Sequence, residues 1–253
     1  MKMKTKVLIL ILVLLLVGSH SFADNVTIPN ISIDFGGVEE GDEAASTVQI
    51  ILLLSILTLA PSILVMMTSF TRIIIILSFV RRALALQTTP PNQVLIGLAL
   101  FLTFFVMNPT FTAVKENAYD PLVAGEITQE QAFDAAIEPM RDFMLSQVRG
   151  KDLQLFVDIA NVDSVESYQD VPTSALIPAF VISEIKTGFE VGFLIFLPFI
   201  VIDMVVASTL MALGMLMLPP VMISLPFKLL LFIMMDGWNL IIEKTILTFG
   251  GVG

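Results

Sequence analysis

Three ionisable residues interrupt long apolar runs in the last third of the chain. They are Asp203, between Phe199-Ile200-Val201-Ile202 and Met204-Val205-Val206, Lys228, directly after Pro226-Phe227, and Asp236. An ionised group in hydrocarbon costs several kcal/mol unless it is paired or hydrated, so such residues are the first candidates for function. Asp203 and Lys228 lie on successive apolar runs, and a hairpin between the runs brings the two together as an ion pair. The alternative has Lys228 snorkelling to a membrane boundary while Asp203 faces a wet bundle interior. Asp203 and Asp236 also stand at nearly equal distances from Pro219-Pro220, the arrangement an intramembrane aspartyl protease needs. Against that reading, Lys228 competes for Asp203, and Asp236 lies beside Trp238, where an outer membrane boundary is expected.

The methionines are the second pointer. Met204, Met211, Met215, Met217, Met222, Met234 and Met235 crowd the same two runs. Methionine is flexible and polarisable, so it fills gaps in helical bundles and equally conforms to an unrelated surface without a fixed shape. Location separates Met215 and Met217 from ordinary gap-filling. Gly214 and Pro219-Pro220 force non-helical backbone beside them, and at apolar depth such backbone is tolerated only against protein or a water-filled cavity. A broken segment lining a pore is the natural setting.

Little else in the chain can stage catalysis. There is no cysteine, hence no disulfide, thiolate nucleophile or cysteine-ligated metal. The single histidine, His20, falls in a targeting segment, which leaves no imidazole for acid-base work near neutral pH. No catalytic residue, cofactor or metal ligand is implied.

The elements that must position these residues are helical. With 56% hydrophobic and 14% charged residues, the 253-residue chain reads as an all-α, multi-spanning membrane protein built from long helical hairpins. Residues 1–23 carry Lys2, Lys4 and Lys6, an apolar run from Val7 to Val17, and Ser21 and Ala23 before a cut, the pattern of a signal peptide. An uncleaved first helix is the other reading. Residues 24–47 are polar and acidic, a flexible translocated arm. Residues 48–109 form a first hydrophobic helical pair. Val48 to Phe70, prolonged by Ile73 to Val80, predicts one long helix with a kink at Pro61, its far end marked by a basic cluster of Arg72, Arg81 and Arg82 on the cytoplasmic side. Val94 to Met107 returns and stops at Asn108-Pro109. Residues 110–178 are a soluble outer helical insert, in which Thr128 and Gln131 make a capping box and Ala132, Phe133, Ala136, Ile137 and Met140 share a helical pattern. Residues 179–253 form a second hydrophobic pair, Phe189 to Leu213 and Leu225 to Ile242, joined by the methionine-rich turn. Four spans result after removal of the signal, with both ends outside. The net charge of -10 is concentrated in the two non-hydrophobic blocks and says little about partners.

Two long ordered stretches carry a family resemblance. The first is Pro178-Ala179-Phe180-Val181-Ile182-Ser183-Glu184-Ile185-Lys186-Thr187-Gly188-Phe189-Glu190-Val191-Gly192-Phe193. The second runs from Leu197-Pro198-Phe199-Ile200-Val201-Ile202-Asp203 through Met211 and Gly214-Met215-Leu216-Met217-Leu218-Pro219-Pro220 to Leu225-Pro226-Phe227-Lys228. Both resemble the signatures of the FliP family, called SctR in injectisomes, and the order of signal, early hydrophobic pair, insert and late pair is similar along the rest. The resemblance implies a subunit of a flagellar type III export gate in the bacterial inner membrane, at the flagellar basal body. It implies a ring of five copies with FliQ-like and FliR-like subunits and other export-apparatus proteins, passing unfolded flagellar proteins. It further implies a pore closed by a methionine-rich loop, here Met211, Met215 and Met217, with Leu216 where another methionine is common. Glu184 falls in a Ser-Glu motif tied to subunit contacts and gating, and Asp203 and Lys228 are the membrane-region charges. Helices of this family form a cone raised out of the bilayer plane, so apolar runs can bury against one another instead of lipid.

Two rivals remain besides the protease. An injectisome subunit delivering effectors shares the signatures, while the signal, acidic arm and long insert favour the flagellar branch. An ion-coupled secondary transporter using Asp203 and Lys228 predicts two related halves, and no such repeat is present.

Overall fold

The computed structural model describes residues 65–160, 168–215 and 217–250, with helical positions scattered between 51 and 63. The expected signal at 1–23, the acidic arm at 24–47, and Leu216 lie outside the described residues. The chain divides into two compact units, Met1–Leu53 and Leu54–Gly253, and every helix from Phe70 onward lies in the second.

Among the described residues every regular element is helical. The first apolar run is not one long helix. Met67, Thr68 and Ser69 form a turn, and α1 (Phe70–Ala83) starts afresh after it. The Thr68 hydroxyl donates to the Val65 carbonyl at 3.0 Å, a local bond that competes with the helical ladder. After the loop at Thr88-Thr89-Pro90, α2 (Asn92–Val106) returns. It stops where expected, since α3 (Asn108–Val114) leaves at 61° to it. A π-helical turn (Lys115–Tyr119) and the short α4 (Asp120–Val123) continue the chain into the insert.

The two longest helices lying wholly within the expected insert, 110–178, are α5 (Gln129–Gln147) and α6 (Gly150–Ile159). Thr128 caps α5 as its sequence predicts: the Gln131 backbone N–H donates to Thr128 Oγ1, and the Thr128 N–H to Gln131 Oε1 at 2.9 Å. Ala132 and Met140 turn inward, but Phe133 stands exposed. Arg141 holds the returning chain by donating to the Val171 and Gln169 carbonyls and to Thr173.

Helix α7 (Thr173–Ala212) runs for 40 residues, about 60 Å at 1.5 Å per residue. Pro178 and Pro198 lie inside it, so the expected boundary at 178/179 falls within a continuous helix and the insert shares that helix with the second hydrophobic pair. The N-terminal turns of α7, with Ala175, Leu176, Ala179 and Phe180, pack with Met107, Met140, Met144, Leu153 and Val157 into one core. Helix α8 (Pro220–Met234) folds back along α7. The last apolar run is not straight. Asp236 adopts a left-handed conformation, φ 48° and ψ 53°, and α9 (Gly237–Leu247) departs at 66°. Trp238 sits at that break with its ring edge on Phe232, centroids 5.4 Å apart.

Helix α1 packs mainly on α7, and two glycines set the approach. A Cβ on Gly192 would lie 2.5 Å from the Phe79 ring, and one on Gly188 3.0 Å from Ile75. One turn apart on each helix, these pairs let the backbones close to a distance that larger residues forbid. Among the described residues α7 alone suffices by length and composition to cross a membrane, and the bent pairs Asn92–Val106 with Asn108–Val123 and Pro220–Met234 with Gly237–Leu247 qualify only as joined segments.

Candidate functional site

The hairpin of α7 and α8 ends in a tip that is unlike the rest of the chain. Helix α7 stops at Leu213, Gly214 takes φ +74°, and its N–H and that of Met215 cap the helix by donating to the Met211 and Leu210 carbonyls, both at 3.0 Å. The reversal needs positive φ at this point, which glycine adopts at no steric cost. Met211, Met215 and Met217 are all exposed, Met217 at 97%. Met217 is bare, while Met211 and Met215 are about half exposed beside it.

Below the tip, Asp203 and Lys228 meet as their spacing predicts. Lys228 Nζ donates to Asp203 Oδ2 at 2.6 Å, and the Ser224 hydroxyl donates to Oδ1 of the same carboxylate. The ammonium is buried and the carboxylate partly open. The lysine does not snorkel. With both oxygens of Asp203 engaged, and Asp236 at the exposed break where it accepts from Asn239 at 3.2 Å, no carboxylate pair of the aspartyl-protease kind is assembled. The bond joins residues 25 apart across the hairpin and fixes the register of α8 on α7.

A second polar site lies nearer the start of α7 and is only half legible in the sequence. Glu184 has a side-chain exposure of 0% and forms a bidentate pair with Arg72 of α1: Nε donates to Oε2 at 3.0 Å and a terminal nitrogen to Oε1. Arg72 therefore belongs to the interior and not to the basic cluster of Arg81 and Arg82. The same guanidinium donates to Gln147 Oε1 at 3.1 Å and to the Thr248 carbonyl at 2.9 Å. One side chain thus ties α1, α5, α7 and the end of α9. The sequence does carry a signal for this. Arg72 precedes Arg81 by nine residues, about 14 Å along a helix, too far to share one boundary with it.

The neighbouring polar residues of α7 face α6. Asp152 accepts from Ser183 at 3.0 Å and pairs with Lys186, and Arg149 forks onto Glu190, one bond at 2.8 Å. Burial alone would raise the Asp152 carboxyl, but the Lys186 ammonium and the Ser183 hydroxyl together hold it below the usual carboxylate range. Neither Asp152 nor Arg149 is singled out by the sequence, because each becomes meaningful only beside a residue more than 30 positions away.

An apolar hairpin with an exposed thioether tip, an internal charge pair and a buried anchor at its root marks an all-helical class among the described residues, with one helix long and apolar enough to cross a membrane. Comparison with known proteins identifies the lineage. The model of the FliP family matches residues 53–245. The chain is 53% identical to the flagellar biosynthetic protein FliP of Bacillus subtilis over 220 residues, covering 87% of this chain and all of that protein. It is 49% identical to that of Borreliella burgdorferi over 229 residues, 89% of each chain, and 44% identical to that of Rhizobium meliloti over 236 residues, 92% of this chain and 93% of the relative. This chain belongs to the FliP family.

Proposed function

We propose that this protein is a component of the flagellar export apparatus in the bacterial inner membrane, and that it contributes the methionine tip of its α7–α8 hairpin to a gate for unfolded flagellar proteins. The flagellar relatives support the pathway. The observation that carries the gate is the tip itself: three methionines flank a glycine-determined reversal at the end of an apolar hairpin, all of them exposed and Met217 almost wholly so. Flexible side chains of this kind close against copies of themselves and give way to a passing chain of any sequence. A single tip encloses nothing, so the reading requires a ring. A pentamer with FliQ-like and FliR-like subunits is the assembly in which the hairpins of several copies seal one axis. Asp203 and Lys228 then keep each hairpin in register, and Glu184 with Arg72 keeps its root in place. Energy comes from partners, since the chain carries no catalytic centre in this reading.

Met217→Ala combined with Met215→Ala tests it. In cells carrying the assembled apparatus, the expected result is leakage of ions or small dyes across the inner membrane with protein levels unchanged. Permeability equal to the parent would reject the gasket role. The injectisome alternative predicts loss of effector delivery on deletion with motility intact, the reverse of what is expected here.

A further inference from the structure

We infer that the last described turn of the chain, Thr248 and Phe249, is a latch that positions Arg72 on Glu184 and shuts the buried pair from water. Three elements converge on Arg72, and the end of α9 supplies one of them. Two of its nitrogens are taken by Glu184 and Gln147, but the acceptors of the third both belong to Thr248, the carbonyl at 2.9 Å and Oγ1 at 3.3 Å. Thr248 is the C-cap of α9, and carbonyls at the end of a helix are open to partners from outside it. The face of the guanidinium is covered by the Phe249 ring, 4.0 Å from its carbon to the ring centroid. Phe249 in turn lies on Phe143, centroids 6.5 Å apart and planes 24° from parallel, and Phe143 meets Phe180 edge-on at 5.9 Å. A column of Arg72, Phe249, Phe143 and Phe180 thus leads from the chain end into the core beneath the insert.

The register of α9 explains how the latch reaches its target. Ile241 packs in the cluster of Ile76 and Val80, while Ile246 and Phe249 pack in that of Ile73 and Leu77. Helix α9 thus contributes side chains to both clusters that α1 also enters, and its end arrives beside Arg72. A guanidinium stacked on an aromatic face in a desolvated setting gains more than at a surface, and a paired buried charge that loses its cover admits water to the pair. Removal of the ring releases the end of α9 while the core beneath stays folded. This role is independent of the proposed gate and holds for the isolated chain.

The absence of native cysteine gives a clean test. Thr245, on α9, is buried with a hydroxyl that has no hydrogen-bond partner, so Thr245→Cys introduces a protected reporter without losing a bond. The full-length chain purified from membranes is labelled with a maleimide. With Phe249 intact the thiol reacts slowly. In Phe249→Ala it reacts roughly tenfold faster, in Phe249→Leu it also reacts faster, and in Phe249→Tyr, which keeps the ring, protection returns. A second reporter, Ala99→Cys in the fully buried face of α2, stays protected throughout. Equal labelling of Thr245→Cys in all four chains overturns the latch, and so does a parallel rise at Ala99→Cys, which marks general unfolding. If Phe249→Ala does not accumulate, the leucine and tyrosine variants carry the same decision.

Discussion

Removing one partner of the Arg72–Glu184 pair should cost far more than removing both, and the two single changes should not be equal. Breaking a buried ion pair typically costs about 3–5 kcal/mol, because a charge is left without compensation, whereas an apolar replacement of both partners is near neutral. The surroundings decide where each change falls. In Glu184→Leu the guanidinium keeps Gln147, two Thr248 acceptors and the Phe249 ring, which places the loss at about 3 kcal/mol. In Arg72→Met the Glu184 carboxylate, with 0% exposure, is deprived of the guanidinium that supplies both of its side-chain bonds, which places the loss at about 5 kcal/mol. The double variant Arg72→Met with Glu184→Leu should return to within about 1–2 kcal/mol of the parent, and the cycle then yields a coupling of several kcal/mol. The assay is denaturant titration of the purified protein in mild detergent, followed by helical circular dichroism. Losses that simply add in the double variant, or a milder effect for Arg72→Met than for Glu184→Leu, would refute the argument that the pair is held together chiefly by mutual compensation.

Other elements yield three further expected outcomes. Gly192→Ala drives a methyl into the Phe79 ring and should destabilise by about 1–3 kcal/mol, while Gly97→Ala, which meets open space, should stabilise by up to about 1 kcal/mol; thermal melts of the pair of variants check the contrast. Thr128→Ala removes the capping box of α5 and should cost about 1 kcal/mol, read as faster amide exchange confined to the first turns of that helix. Asp152, whose carboxyl is held below its ordinary value, contributes stability that is complete above about pH 4 and fades as the pH falls through the lower folded value. The stability gap between the parent and Asp152→Asn should accordingly be constant near neutrality and shrink on acidification, and a gap that widens in acid would reverse the sign.

Much of the hairpin is legible in the sequence because its signals are local. Asp203 and Lys228 stand out as charges in apolar runs, and the glycine and double proline between them announce a reversal. The Thr128 box is a four-residue pattern and appears where the pattern puts it. Long-range pairing leaves no such trace: Arg72 and Glu184 are 112 positions apart, and nothing in the flanking residues of either names the other. The breaks differ in how plainly they show. Pro178 and Pro198 are ordinarily helix breakers, yet α7 passes through both, since a proline forfeits one backbone bond and a long packed helix retains the rest. The bend at Asp236-Gly237 is masked even though the dipeptide is a common turn pair, because the apolar residues on both sides read as one continuous run. The break at Met67–Ser69 is hidden in the same way, and the Thr68 side-chain bond to the Val65 carbonyl accompanies it.

At roughly 60 Å, α7 is about twice as tall as the oily interior of a bilayer. No tilt within the usual range lets lipid tails alone cover a rod of that height. Part of the surplus is already clothed by the insert, which grips the helix near Ser183 and Glu190. The stretch left beyond that grip, Val191 to Ala212, is about 33 Å long and close to the thickness of the oily layer, so the rod divides into a root held by the insert and a shaft of membrane length.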